Sequence, residues 1–133
     1  MQLRTSHRNR EGGVLVLDCA GRIVFGQESD SLRDTVKKLL PDNRRLVLNL
    51  SEVPYVDSGG LGTLVGLFLS ARSAGAVMKL AGPTPRVTEL LEITKLGTVL
   101  EVYPSEDLAV RSFQSTTPEP SLPARKTREA RSR

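Results

Sequence analysis

The sequence predicts an α/β domain: a mixed sheet of four to five strands with about four α-helices packed on it. Three observations carry that expectation. Short, β-branched apolar runs at 14–20, 46–50 and 77–81 have the length and composition of buried strands. From residue 28 onward, stretches with helical apolar spacing separate such runs. Strand and helix then alternate, which implies a largely parallel core with an antiparallel hairpin at its start.

The elements follow in order. Residues 3–8 alternate weakly and read as an edge strand, and Asn9-Arg10-Glu11-Gly12-Gly13 reads as a turn. The run 14–20 is a buried strand that ends at Gly21. Arg22-Ile23-Val24-Phe25 forms a second short apolar patch, with Ile23 and Phe25 open to either core or partner surface. Leu32, Val36, Leu39 and Leu40 make one helical stripe, with Ser29 or Asp30 as its cap and Pro41-Asp42-Asn43 as its end. The strand 46–50 leads through a loop to a helix whose stripe is Leu61, Leu64, Val65 and Phe68, widened by Leu67 and Leu69. After Ala74-Gly75-Ala76 comes the strand 77–81. Thr84-Pro85 opens a helix, with Thr as cap and Pro where a missing N–H does no harm, and Val87, Leu90, Leu91 and Thr94 are expected to face inward. Residues 98–103 read as a last strand. Ser105-Glu106-Asp107 caps a last helix that runs to about Phe113.

Composition limits the function classes. The chain has 133 residues, the size of one domain, and no apolar run long enough to span a membrane. Its N-terminus lacks a signal-peptide apolar region. With one cysteine, Cys19, and one histidine, His7, it can form neither an internal disulfide nor a His-cluster metal site. A reducing cytoplasm is the expected setting. Residues 1–113 carry 14 Lys/Arg against 13 Asp/Glu, a net of +1, while 114–133 carry a net of +3. The domain, placed at 1–113, is therefore near neutral. Residues 114–133, rich in Ser, Pro and Arg, read as a disordered basic tail, and direct DNA binding is not expected.

The most informative stretch is Val56-Asp57-Ser58-Gly59-Gly60-Leu61-Gly62, which lies between a strand and a helix. Asp57 suits a helix N-cap, and Ser58 then falls at the first helical position with its hydroxyl near the surface. The glycines cost up to about 1 kcal/mol each in a helix, so close packing or a close partner must offset them. Neither a P-loop nor a nucleophile elbow fits, because no Gly-Lys-Ser/Thr follows and Val56 stands where the elbow needs glycine. A catalytic triad would need His7, which sits in the expected edge strand. No catalytic residues and no cofactor are expected.

With these residues in view, the chain resembles the anti-sigma factor antagonists, the stand-alone STAS domains of bacteria. The match rests on Gly21, the Leu-rich helix 28–40, Leu46-Val47-Leu48-Asn49-Leu50 and the segment 56–62. It continues through Gly75, Met78-Lys79-Leu80, Val87, Leu90-Leu91 and Leu96. The resemblance implies a STAS-like fold and a non-enzymatic, partner-switching function. In that family the serine at the position of Ser58 is phosphorylated by an anti-sigma factor that is also an ATP-dependent serine kinase. The unphosphorylated form binds that kinase and frees a sigma factor, and a PP2C-type phosphatase reverses the change. On this reading Asp57, Ser58, Gly59, Gly60, Gly21, Arg22 and Ile23 form the partner surface. Two departures stand out. No acid occurs in residues 22–25, and the residue after the serine is Gly59 rather than a second hydroxyl residue, so any phosphorylation in the motif is single. A STAS subunit of a lipid-transport ABC assembly and a small-ligand or nucleotide sensor are the alternatives.

Overall fold

A computed structural model describes residues 3–115. The expected architecture is present: one five-stranded mixed sheet and four helices. The strands are β1 (Arg4–Arg10), β2 (Val14–Ala20), β3 (Arg45–Glu52), β4 (Val77–Ala81) and β5 (Glu101–Tyr103), and they lie side by side in chain order. β1 pairs antiparallel with β2 through a glycine turn, and all later pairs are parallel. The helices are α1 (Gln27–Leu39), α2 (Ser58–Ser73), α3 (Pro85–Thr94) and α4 (Glu106–Ser115).

Sequential parallel strands joined by crossovers of one hand place every connecting helix on the same face. Accordingly α1, α2 and α3 share one core with the inward residues of the sheet. Leu15, Leu46 and Met78 form one row of that face, and Leu17, Leu48 and Leu80 the next. Leu32 and Val36 of α1, Leu61, Leu64, Leu67 and Phe68 of α2, and Val87 and Leu91 of α3 close over them. The strand period of two sends Val14, Val16, Val47 and Ala81 to the opposite face, where Ala109, Val110 and Phe113 of α4 cover them. Lys79 shares that face. Its ammonium lies 4.1 Å from the Phe113 ring centroid and 5.3 Å from that of Tyr103, and donates to the Ser112 hydroxyl at 2.6 Å.

Several local expectations change. In the apolar patch Arg22–Phe25 only Ile23 pairs, through an isolated parallel bridge to Val56. Neither Ser29 nor Asp30 caps α1. The cap position is Gly26, at φ 106°, while the Ser29 hydroxyl is buried and donates to the Val24 carbonyl at 2.7 Å. On α2, Leu67 is buried but Leu69 is 52% exposed, because a helix on a sheet buries only the side that faces it. Thr94 is exposed, and its hydroxyl bonds back to the Leu90 carbonyl at 2.8 Å. The last strand is shorter than expected. Leu96–Thr98 forms a 3-10 turn, Val99 is exposed, and Leu100 drops into the core before β5 begins. α4 extends to Ser115, and the expected tail otherwise lies outside the described residues.

α4 is held at its start by charge. Glu106 accepts from Arg8 at 2.6 Å and from the Asn49 amide at 2.9 Å, and also pairs with Arg10. Arg8 in turn pairs with Asp18 at 2.6 Å, and Arg10 with Asp107 at 2.9 Å. Arg8 above all, then Asn49 and Arg10, hold the Glu106 carboxyl down at about 2. A carboxyl lowered on folding stabilises the fold above its unfolded value, near 4.3, and that stabilisation fades as pH falls toward 2. Glu106→Gln should therefore melt earlier than the wild type at pH 7, by the equivalent of about 1–2 kcal/mol after solvent screening. Thermal melts at pH 7 and pH 2 check this, since the gap should close at the lower pH.

Candidate functional site

The serine motif sits at the carboxyl end of β3, the end of an open parallel sheet where ligands and partners usually approach. Val53 and Val56 are buried and anchor the loop that leaves β3. Residues 21–25 run beside it. The Gly21 N–H donates to the Glu52 carbonyl at 3.1 Å, the Ile23 N–H to Tyr55 at 3.0 Å, and the Asp57 N–H to Ile23 at 3.3 Å. The two segments come from different crossovers and form one surface.

Asp57 joins them to α2. Its Oδ1 accepts from the Gly60 N–H at 2.7 Å, which is the N-cap bond expected from the sequence. The same carboxylate accepts from the Phe25 N–H, at 3.1 Å through Oδ1 and 3.2 Å through Oδ2. Asp57→Ala removes both contacts and should cost about 1–2 kcal/mol of stability. Asn at that position retains acceptor oxygen and should cost less. Denaturant melts of the two variants test that order.

Ser58 is the first residue of α2 and is exposed. The glycines behind it are now separable. A Cβ on Gly60 would lie 1.9 Å from the Ile23 carbonyl oxygen, and one on Gly59 would lie 2.5 Å from the Phe25 Cβ. Both are packing glycines, and what they pack against is the 21–25 segment rather than the sheet. Gly62 has nothing within 4 Å of that position. Thr63, buried on the next turn, donates to the Gly59 carbonyl at 3.1 Å and accepts from Arg33 of α1 at 3.2 Å.

The structure sorts the expected partner residues. Asp57, Ser58, Gly59 and Arg22 gather at one end of the sheet, with Ser58 and Arg22 exposed. Gly21, Ile23 and Gly60 are buried. Gly21 has φ 117°, a conformation that favours glycine. Ile23 is fully enclosed in the main core, and only its backbone serves the loop. The exposed member of the apolar pair is Phe25, at 81%.

Sequence reasoning missed the other wall of the site. An open pocket of about 340 Å³ beside Ser58 is lined by Tyr55, Asp57, Arg86, Leu90 and Ile93 among others. Ile93 is 71% exposed, and Arg86 lies over the Tyr55 ring at 4.8 Å. Ile93 had a legible signal, being apolar but off the stripe of α3. Arg86 and Tyr55 had none. No group of three or more His, Cys, Asp or Glu among the described residues is placed to hold a metal ion. Cys19 is enclosed in the core, where burial pushes its thiol up to about 12 and keeps it protonated.

The STAS domain family matches residues 7–109. This chain belongs to the STAS domain family. Its relatives include the anti-sigma-B factor antagonist of Bacillus subtilis, 32% identical over 102 residues, covering 77% of this chain and 92% of the relative. The Listeria monocytogenes protein of the same description is 42% identical over 57 residues, covering 43% of this chain and 50% of the relative. For several such relatives the alignment spans only half to 62% of their length. Among solved structures, an anti-sigma factor antagonist from Mycobacterium paratuberculosis superposes with a TM-score of 0.73 at 21% identity, covering 85% of this chain and 95% of that one. At that identity the likeness speaks for the STAS fold alone. No helix among the described residues is long and apolar enough to cross a membrane.

Proposed function

We propose that this STAS domain is an anti-sigma factor antagonist whose binding is switched by phosphorylation of Ser58. The observation that carries this reading is the placement of Ser58. It is an exposed hydroxyl, fixed at the head of α2 by the Asp57 cap, between the exposed apolar residues Phe25 and Ile93. The unmodified surface there offers apolar contact around a neutral hydroxyl, and an anti-sigma factor that is also a serine kinase is its partner. In the transfer step, the Ser58 oxygen attacks the γ-phosphorus of ATP held by the kinase. The O–P bond forms, the bond to ADP breaks, and the hydroxyl proton leaves to a base of the kinase. The phosphate adds about −1.5 to −2 charges to a surface that fits a neutral group, so binding is lost while the buried core is untouched. A PP2C-type phosphatase restores the hydroxyl by hydrolysis.

The deciding experiment is a pull-down from the native cytoplasm with Ser58→Ala and Ser58→Asp baits, read by mass spectrometry. Recovery of a small serine kinase on the first bait and its loss from the second supports the switch. Recovery of one protein on both baits, such as a transport ATPase, makes Ser58 a plain helix start and this domain a structural subunit.

A further inference from the structure

Phosphorylation of Ser58 would set an electrostatic problem beside Asp57. The Asp57 carboxylate is already committed to the N–H groups of Gly60 and Phe25. It cannot turn away from a neighbouring phosphate without releasing both the helix cap and the 21–25 segment. Nor is the Gly60 N–H free to receive the phosphate, since Asp57 occupies it. The dipole of α2 offsets part of the repulsion, and a full countercharge for the phosphate is available only from the far wall of the pocket.

We propose that Arg86 is the receiver of the phosphate carried by Ser58, swinging from the Tyr55 ring to form an ion pair across the pocket that the two residues share. The proposal rests on the switch reading above and adds how the modified state is accommodated. Arg86 lines the same pocket as Ser58 and is the cation in that lining, whose acids are Asp57 and Glu89. It is exposed, and among the described residues it makes no ion pair, its guanidinium lying over the Tyr55 face at 4.8 Å. An exposed cation–π contact is weak, whereas a guanidinium binds phosphate through two parallel, charge-assisted bonds. The root of Arg86 is also fixed. Thr84 caps α3 by accepting from the Val87 N–H at 3.4 Å, and its own hydroxyl donates to the Val53 carbonyl at 3.2 Å. That bond ties the start of α3 to the loop that leads into Ser58.

The consequence reaches beyond added charge. In the unmodified protein Arg86 presents a positive group over Tyr55. In the phosphorylated protein that charge is consumed and the Tyr55 face is bared. A partner that reads this wall therefore meets two changes from one modification.

The test uses the full chain with phosphoserine genetically encoded at position 58, so that it does not depend on any kinase. The second ionisation of the phosphate is followed by phosphorus NMR. An arginine pair favours the dianion, so Arg86→Ala should raise that midpoint by about 0.5 pH unit or more, roughly a threefold change in the equilibrium. Arg86→Lys should recover most of the shift, and Arg72→Ala, in the last turn of α2 at the opposite end from Ser58, should leave the midpoint unchanged. The Tyr55 ring protons should move on phosphorylation of the wild type and stay in place in the Arg86→Ala protein. An unchanged midpoint in Arg86→Ala, or a larger change in Arg72→Ala, overturns the proposal. Because the phosphate is installed directly, a failed pull-down and a failed titration point to different errors.

Discussion

A Ser58→Asp variant should lose about two orders of magnitude in affinity for its anti-sigma partner while melting within about 2 °C of the wild type. The two halves of that expectation have separate causes. Desolvating an uncompensated charge inside an interface costs about 2–5 kcal/mol, and 2.7 kcal/mol corresponds to roughly a hundredfold in Kd. The folded domain is not similarly penalised, because the side chain at position 58 points from an exposed helix start. A negative charge at that end of α2 also interacts favourably with the helix dipole, by about 0.3–1 kcal/mol, which offsets repulsion from Asp57. Ser58→Ala should bind as the wild type does. Calorimetric titration with the partner recovered in the pull-down, together with thermal melts, measures both halves. Equal affinities for the Asp and Ala proteins would refute the switch. A large fall in melting temperature would mean that Ser58 is a stability residue instead.

Replacing Gly60 by alanine should produce the largest loss of stability of any single change discussed, at least about 3 kcal/mol. The added Cβ would stand 1.9 Å from the Ile23 carbonyl oxygen and 2.6 Å from its carbon. Those are backbone atoms, so no rotamer change relieves the clash. The segment that carries them is held by the bonds from Gly21, Ile23 and Phe25 to the 52–57 loop, and retreat would break several of these at once. For a domain of this size the loss corresponds to a fall of more than 10 °C in melting temperature. Gly62→Ala provides the contrast on the same helix. Nothing lies within 4 Å of its added Cβ, and exchanging glycine for alanine in a helix gains up to about 1 kcal/mol. A pair of melts with opposite signs would establish that the glycines serve two purposes. If Gly60→Ala melted with the wild type, the close approach of α2 to the 21–25 segment would not be needed.

Much of the architecture was readable in the residues. The period of two in β2 and β3 assigned Leu15, Leu17, Leu46 and Leu48 to one face and Val14, Val16 and Val47 to the other. Caps were local and legible for the same reason. Asp57 and Thr84 each need only a backbone N–H three residues away, at Gly60 and Val87. The start of α1 was misread because Ser29 spends its hydroxyl on Val24 rather than on its own helix. β5 was read too long because an apolar stretch such as 98–100 can be consumed by a turn and a core contact instead of a strand.

The motif around Ser58 divides along the same line. The sequence alone determined the α/β class, the near-neutral charge of the domain, the cap at Asp57 and the exposed hydroxyl that follows it, since each depends on composition, period or neighbours a few residues apart. Only the tertiary structure decided that Ile23 is core and Phe25 is surface, that Gly59 and Gly60 face a loop rather than the sheet, and that Arg86 of α3 shares a pocket with Ser58 of α2. Those contacts join segments about 30 residues or more apart in the chain. They exist because successive crossovers return to the same end of the sheet, and no local pattern of residue types encodes which side chains will meet there.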